Sequence, residues 1–137
     1  MLRNFFNLFR RGDNSFTELE IKILKAVEAK LSENVARIFL NRIDSVNLIQ
    51  RTNDLQEVNC YEMYKGKALL RTEHQMSNVS GEFKMASFCI LNASEVIISG
   101  DIWSVDGVFF SIEFSEPPLN IIWNDSYQIL VDIFYKK

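Results

Sequence analysis

Trp103-Ser-Val-Asp-Gly-Val-Phe-Phe-Ser-Ile-Glu-Phe114 is the stretch on which the fold of this chain turns. An Asp-Gly pair between two runs of β-formers is a strong hairpin signal, because a type I′ turn needs positive φ at both central residues and its twist matches the flanking strands. With a two-residue loop at Asp106-Gly107, Val105 faces Val108, Trp103 faces Phe110, Asp101 faces Ile112 and Ser99 faces Phe114. That register makes one face strongly apolar and leaves Ile102, Ser104, Phe109, Ser111 and Glu113 on the other. A slip of one residue exchanges the two sets.

Strand signals continue on both sides. Phe83 to Leu91 alternates with period two, as do Glu57 to Tyr64 and Val46 to Arg51, the last two joined by a turn at Thr52-Asn-Asp54. Between Lys65 and Gly81 the chain is polar for longer than an ordinary loop, which predicts a mobile or functional excursion. Glu116-Pro117-Pro118 stops the hairpin, since proline cannot donate to a ladder and restricts the residue before it. Tyr127 to Tyr135 reads as a last strand; the pattern leaves open whether it completes this sheet or pairs with another copy.

Helix signals come first in the chain. Ser15-Phe-Thr-Glu18 has the form of a capping box and predicts a helix from about Phe16 to Leu31. Its apolar stripe is Phe16, Leu19, Ile23, Val27 and Leu31, with Glu20, Lys22, Glu28 and Lys30 left in water. Ser32-Glu33-Asn34 can cap a second helix with Val35, Ile38, Phe39 and Ile43 inward, the alternative being one long helix through residue 43. The expected architecture is α+β: one or two N-terminal helices packed on an antiparallel sheet of five to six strands. All 137 residues are read as one domain, with residues 1–14 a flexible or separately docked segment.

Charge is distributed unevenly. Residues 1–50 hold eight basic and six acidic side chains, while 51–137 hold seven and twelve. From Met85 to Tyr135 there is no Lys, Arg or His, yet Glu95, Asp101, Asp106, Glu113, Glu116, Asp125 and Asp132 are all present. Such a region attracts basic partners and repels nucleic acid. The two cysteines, Cys60 and Cys89, have no companion ligand spacing, so neither a zinc site nor a disulfide framework is expected and a reducing cytoplasm is the simpler setting. No apolar run approaches the length of a membrane span, and Met1 to Arg11 does not form a convincing signal peptide.

Chemistry-bearing motifs are absent. None of the five glycines falls in a phosphate-loop arrangement, and no cofactor, metal or catalytic residue is assigned. His74, the single histidine, reads as a solvated loop residue beside Glu73. Asp101 falls on the apolar hairpin face in the inferred register and would need a polar partner there.

The pattern W-x-V-x-G-x-x-F-S-I-E-F over Trp103 to Phe114, with Val46-Asn-Leu-Ile-Gln-Arg51 and Glu57-Val-Asn-Cys-Tyr61 before it, resembles a poorly characterised group of small bacterial proteins. The resemblance runs loosely over residues 16–116 and brings no enzymatic role. Relatives tend to have proline where this chain has Ser32-Glu33-Asn34. In type, the chain is also similar to immunity proteins of bacterial contact-dependent toxin systems. The resemblance implies a cytoplasmic inhibitor of a basic toxin such as a nuclease, and the acidic stretch and inferred hairpin face add Glu95, Ile102, Asp106, Phe109, Glu113 and Glu116 as the expected partner-binding residues on an outward acidic sheet surface. Weak self-association is a further expectation. Two other readings remain at this stage. One is a small-molecule-binding or enzymatic domain with a pocket between helices and sheet that uses Asp101 or His74; the other is a membrane-surface adaptor using Arg3, Phe5, Phe6, Leu8, Phe9, Arg10 and Arg11.

Overall fold

A computed structural model describes residues 14–134. The aromatic-basic segment 1–11, most of the 1–14 segment and the end of the last expected strand lie outside the described residues. Two helices open the described chain, α1 (Glu18–Glu28) and α2 (Glu33–Ser45). Seven strands follow: β1 (Leu48–Arg51), β2 (Glu57–Tyr64), β3 (Lys67–Leu69), β4 (Glu82–Asn92), β5 (Glu95–Val105), β6 (Val108–Phe114) and β7 (Gln128–Ile133). All pairings are antiparallel, in the order β1-β2-β6-β5-β4-β7, with β3 paired to the far end of β2. The α+β expectation holds, and the sheet is one strand larger than its upper estimate because residues 67–69 fold back on β2.

The chain breaks into two helices at Ala29–Ser32, as the Ser32-Glu33-Asn34 signal predicts. The capping box, however, sits two residues later than expected. Thr17 Oγ1 accepts the Glu20 N–H at 3.2 Å, and Glu20 Oε1 accepts the Thr17 N–H at 2.8 Å. Glu20 was expected in water. It is buried and also takes Arg51 Nε and Nη2 at 2.9 and 2.7 Å, which ties the first turn of α1 to β1.

The helices cover one face of the sheet. Leu19, Ile23 and Val27 from α1 and Val35 and Phe39 from α2 pack over Ile49, Val58, Ile90, Ile98, Ile102 and Ile112. Removing each large side chain of this set from water contributes about 1.5–3 kcal/mol before conformational entropy is counted. Phe39 meets Phe109 edge-on at 5.3 Å, filling the space between α2 and β6.

The hairpin turn is where the sequence placed it. Asp106 and Gly107 have φ of 51° and 80°, and Val105 pairs with Val108. Beyond that pair the register departs from the expected one. Ser104 pairs with Phe109 but Trp103 pairs with Ser111, so Phe110 is an extra residue in a β-bulge. From there on Ile102 faces Ile112, Asp101 faces Glu113 and Gly100 faces Phe114. The bulge brings Ile112 and Phe114 to the face of Ile102 and Phe109, and that face is the one beneath the helices: Ile102 and Phe109, read as outward anchors, are fully buried, while Asp101 and Trp103 turn to the opposite face.

The connection from Lys65 to Gly81 is ordered structure rather than a free excursion. It contains β3 and a 3-10 turn, Thr72–His74, and it is fastened to the hairpin loop by Met76 N–H donating to the Gly107 carbonyl at 2.8 Å and Gln75 Nε2 donating to the Asp106 carbonyl at 3.1 Å. Gly107 is needed twice, for its positive φ and because a Cβ would strike the Ser77 carbonyl.

Candidate partner-binding site on the outer face of the sheet

The second face of the sheet carries no helix of the described chain. Alternation along each strand decides what it presents. On β5 the buried residues are Ile98, Gly100, Ile102 and Ser104, so Ser99, Asp101, Trp103 and Val105 point outward. Cross-strand register then aligns one row of side chains over five strands: Asp132 of β7 opposite Ser87 of β4, Ser87 opposite Asp101 of β5, Asp101 opposite Glu113 of β6, and Glu113 opposite Glu57 of β2. Like charges directly opposite one another on adjacent strands destabilise a sheet, by up to about 1 kcal/mol per pair. Asp101 against Glu113 is such a pair.

Neighbouring groups hold the carboxylates in place. Ser87 Oγ donates to Asp101 Oδ1 at 2.7 Å, and Lys84 Nζ lies 3.4 Å from Asp101 Oδ2 while its charge sits 5.8 Å from the centre of the Trp103 ring. Trp103 Nε1 donates to Glu113 Oε1 at 3.1 Å. The Asp101 partner demanded by the sequence reading thus exists, but on the solvent side of the sheet. Tyr61 and Phe110 meet edge-on at 5.3 Å beside the row, and burial together with nearby Cys60 raises the Tyr61 pKa.

Two shallow clefts flank Glu113. One, of about 310 Å³, is lined by Glu57, Glu82, Trp103, Val105, Phe110, Ser111 and Glu113. The other, of about 410 Å³, includes Ser87, Ser99, Asp101, Glu113 and Ser115. The first combines carboxylates with two aromatic rings, the surroundings that suit a guanidinium or ammonium group. On β2, Asn59 lies opposite Ser111, is 1% exposed, and has no hydrogen-bond partner for either amide atom. Buried amides are normally satisfied, so this one marks a spot on the face where polar contacts are incomplete.

The residues expected to bind a partner are scattered rather than gathered. Glu95 is exposed at the start of β5 and Asp106 at the turn beyond its end, about 33 Å away at the usual rise per residue. Asp106 is also committed to structure, its Oδ1 accepting the Gly81 N–H at 2.7 Å. Glu116 is exposed just past β6. Ile102 and Phe109 are core, for the register reason given above. Glu113 alone among the six stands in the row. Glu57, Glu82, Ser87 and Phe110 were missed, because only cross-strand register brings them together.

Between α2 and β6 the space is filled by Phe39 and Phe109, which meet edge-on. A cleft of about 470 Å³ opens between helix and sheet at the start of α1, lined by Leu19, Glu20, Arg51 of β1, Phe114 of β6, Pro118 and Trp123, and it touches neither Asp101 nor His74. His74 is buried rather than solvated, with Nδ1 3.9 Å from Glu62 Oε1 while Arg71 Nε donates to Glu62 Oε2 at 2.8 Å. That hydrogen bond and the Glu62 charge raise the Arg71 pKa. Among the described residues no three carboxylate, thiol or imidazole groups converge as metal ligands would. No described helix is long and apolar enough to cross a membrane.

Comparison with protein-family models, curated proteins and solved structures finds no match.

Proposed function

We propose that this chain is a cytoplasmic binding protein of the immunity type, which captures a cationic protein, plausibly a nuclease toxin, on the outer face of its sheet. The observation that carries the reading is the cross-strand row in which Asp101 and Glu113 stand directly opposite each other between Ser87 and Glu57, with exposed Asp132 at its end. Lys84 Nζ already stands 3.4 Å from Asp101 Oδ2, and a partner's cationic side chain placed over Glu113 would add a second positive charge to the pair. Trp103 and Phe110 supply aromatic surface beside the charges. Carboxylates with no Lys or Arg between Met85 and Tyr135 add the long-range field that speeds encounter.

The test uses the full chain as bait in a lysate of its native host, compared with the double variant Asp101→Asn/Glu113→Lys. Wild type is expected to retain a basic protein that the variant releases, and the purified pair should associate at least tenfold more slowly for the variant, with a flatter dependence on salt. Equal retention and equal kinetics, with circular dichroism confirming that both chains are folded, would overturn the reading.

A further inference from the structure

Among the described residues, β1 ends the sheet on one side and β7 on the other. These two edges are not alike. β1 has four residues and ends in Arg51, whereas β7 has six, Gln128-Ile-Leu-Val-Asp-Ile133, with no Lys, no proline and no bulge. Short length, charged side chains (lysine above all), proline and bulges are the usual devices that stop an edge from adding another strand. β7 has a single charge, Asp132, and none of the others, and it exposes Leu130 at 59%.

The backbone of β7 is set for pairing on its free side. Phe134 N–H donates to the Met85 carbonyl at 2.9 Å, so in this antiparallel ladder the even-numbered residues turn their N–H and C=O toward β4. Ile129, Val131 and Ile133 turn theirs away from the sheet. Side chains follow the same alternation, with Gln128, Leu130 and Asp132 exposed on the outer face.

We infer that two copies of this chain join edge to edge through β7, antiparallel about a twofold axis at Leu130. In that register Ile129 of each copy exchanges backbone hydrogen bonds with Val131 of the other, Leu130 packs on Leu130, and Asp132 accepts from the amide of Gln128. Neighbouring registers are worse. Centring on Ile129 or Val131 sets Leu130 against Gln128 or Asp132, centring on Asp132 opposes two carboxylates, and an odd-residue shift matches outward-facing backbone groups with inward-facing ones. The pairing continues the sheet from one copy into the next and places both carboxylate rows on the same side.

The experiment needs no partner protein, so its failure leaves the proposed function untouched. Sedimentation equilibrium of the full chain, from low micromolar concentration to the solubility limit, is expected to show a species of twice 16.0 kDa. Leu130→Lys and Leu130→Glu, each at an exposed site and each checked for folding by circular dichroism, should weaken self-association at least tenfold by opposing like charges on the axis. An equimolar mixture of the two should restore the dimer, since Lys then faces Glu. A wild type that stays monomeric throughout, or single variants that associate as wild type does, would overturn the proposal. Monomeric variants that fail to recombine would overturn its Leu130-centred register.

Discussion

At the residue scale, Arg42 explains how one strand serves two neighbours. β2 pairs with β6 through Asn59 and with β3 from Glu62 onward, so the ladder is interrupted at Cys60. Arg42, 1% exposed, reaches into the gap from α2 and donates Nη2 to the Cys60 carbonyl at 3.0 Å and Nε to the Phe109 carbonyl at 2.9 Å. Burial lowers its pKa, an effect the Cys60 and Glu62 charges oppose. Replacing Arg42 by Met leaves two buried carbonyls without their donors, at about 1–3 kcal/mol each, so the urea-unfolding free energy should drop by about 2–6 kcal/mol. A loss under about 1 kcal/mol would mean that the carbonyls find other donors. Cys60 offers a second measurement. Burial raises its thiol pKa well above the ordinary 9.0, so above pH 9.0 the unfolded chain releases a proton that the folded chain keeps. Stability should therefore be unaffected by this thiol below that pH and fall as pH rises above it, by about 1.4 kcal/mol per unit. Cys60→Ala should flatten that alkaline limb, leaving the part due to Tyr61, whose ordinary pKa is 10.0 and is also raised.

At the scale of elements, the start of α1 shows a local signal settled by a distant residue. Two overlapping frames, Ser15 with Glu18 and Thr17 with Glu20, satisfy the capping pattern. The second is used because Glu20 also answers Arg51 on β1, which buries the cap and aligns the helix with the sheet. Thr17→Ala should accordingly cost about 1 kcal/mol in chemical denaturation. Ser32→Ala, at the start of α2, should cost less, because Ser32 makes no side-chain cap bond. The hairpins divide in the same way. Asp106-Gly107 announces its turn, whereas Ala93-Ser94, with φ of 50° and 70°, makes the β4–β5 turn with neither glycine nor asparagine at its two central positions. Long, well-paired strands on both sides hold those two residues in a conformation they do not prefer.

At the scale of the whole molecule, two surfaces are left open by one arrangement. Both helices lie on the same side of the sheet, so the other side and the β7 edge stay uncovered by described elements. Loss of partner capture in Asp101→Asn/Glu113→Lys tests the face, and charge-swap recombination at Leu130 tests the edge, each by a readout the other variant leaves alone. The order of helices and strands, the hairpin turn and the one-sided charge beyond Met85 could all be read from the chain, because each depends on neighbours within a few residues. The sequence by itself determined which stretches become the strands other than β3, and that the C-terminal half is acidic. Only the tertiary structure decided which side chains face outward, because both faces of β5 and β6 carry apolar residues and one bulged residue, Phe110, reverses their assignment. That single step put Ile112 and Phe114 on the same face as Ile102 and Phe109, the face that α1 and α2 cover, and aligned Asp101 with Glu113 on the open face, since relative side-chain direction in a sheet is a property of paired strands and not of either strand alone.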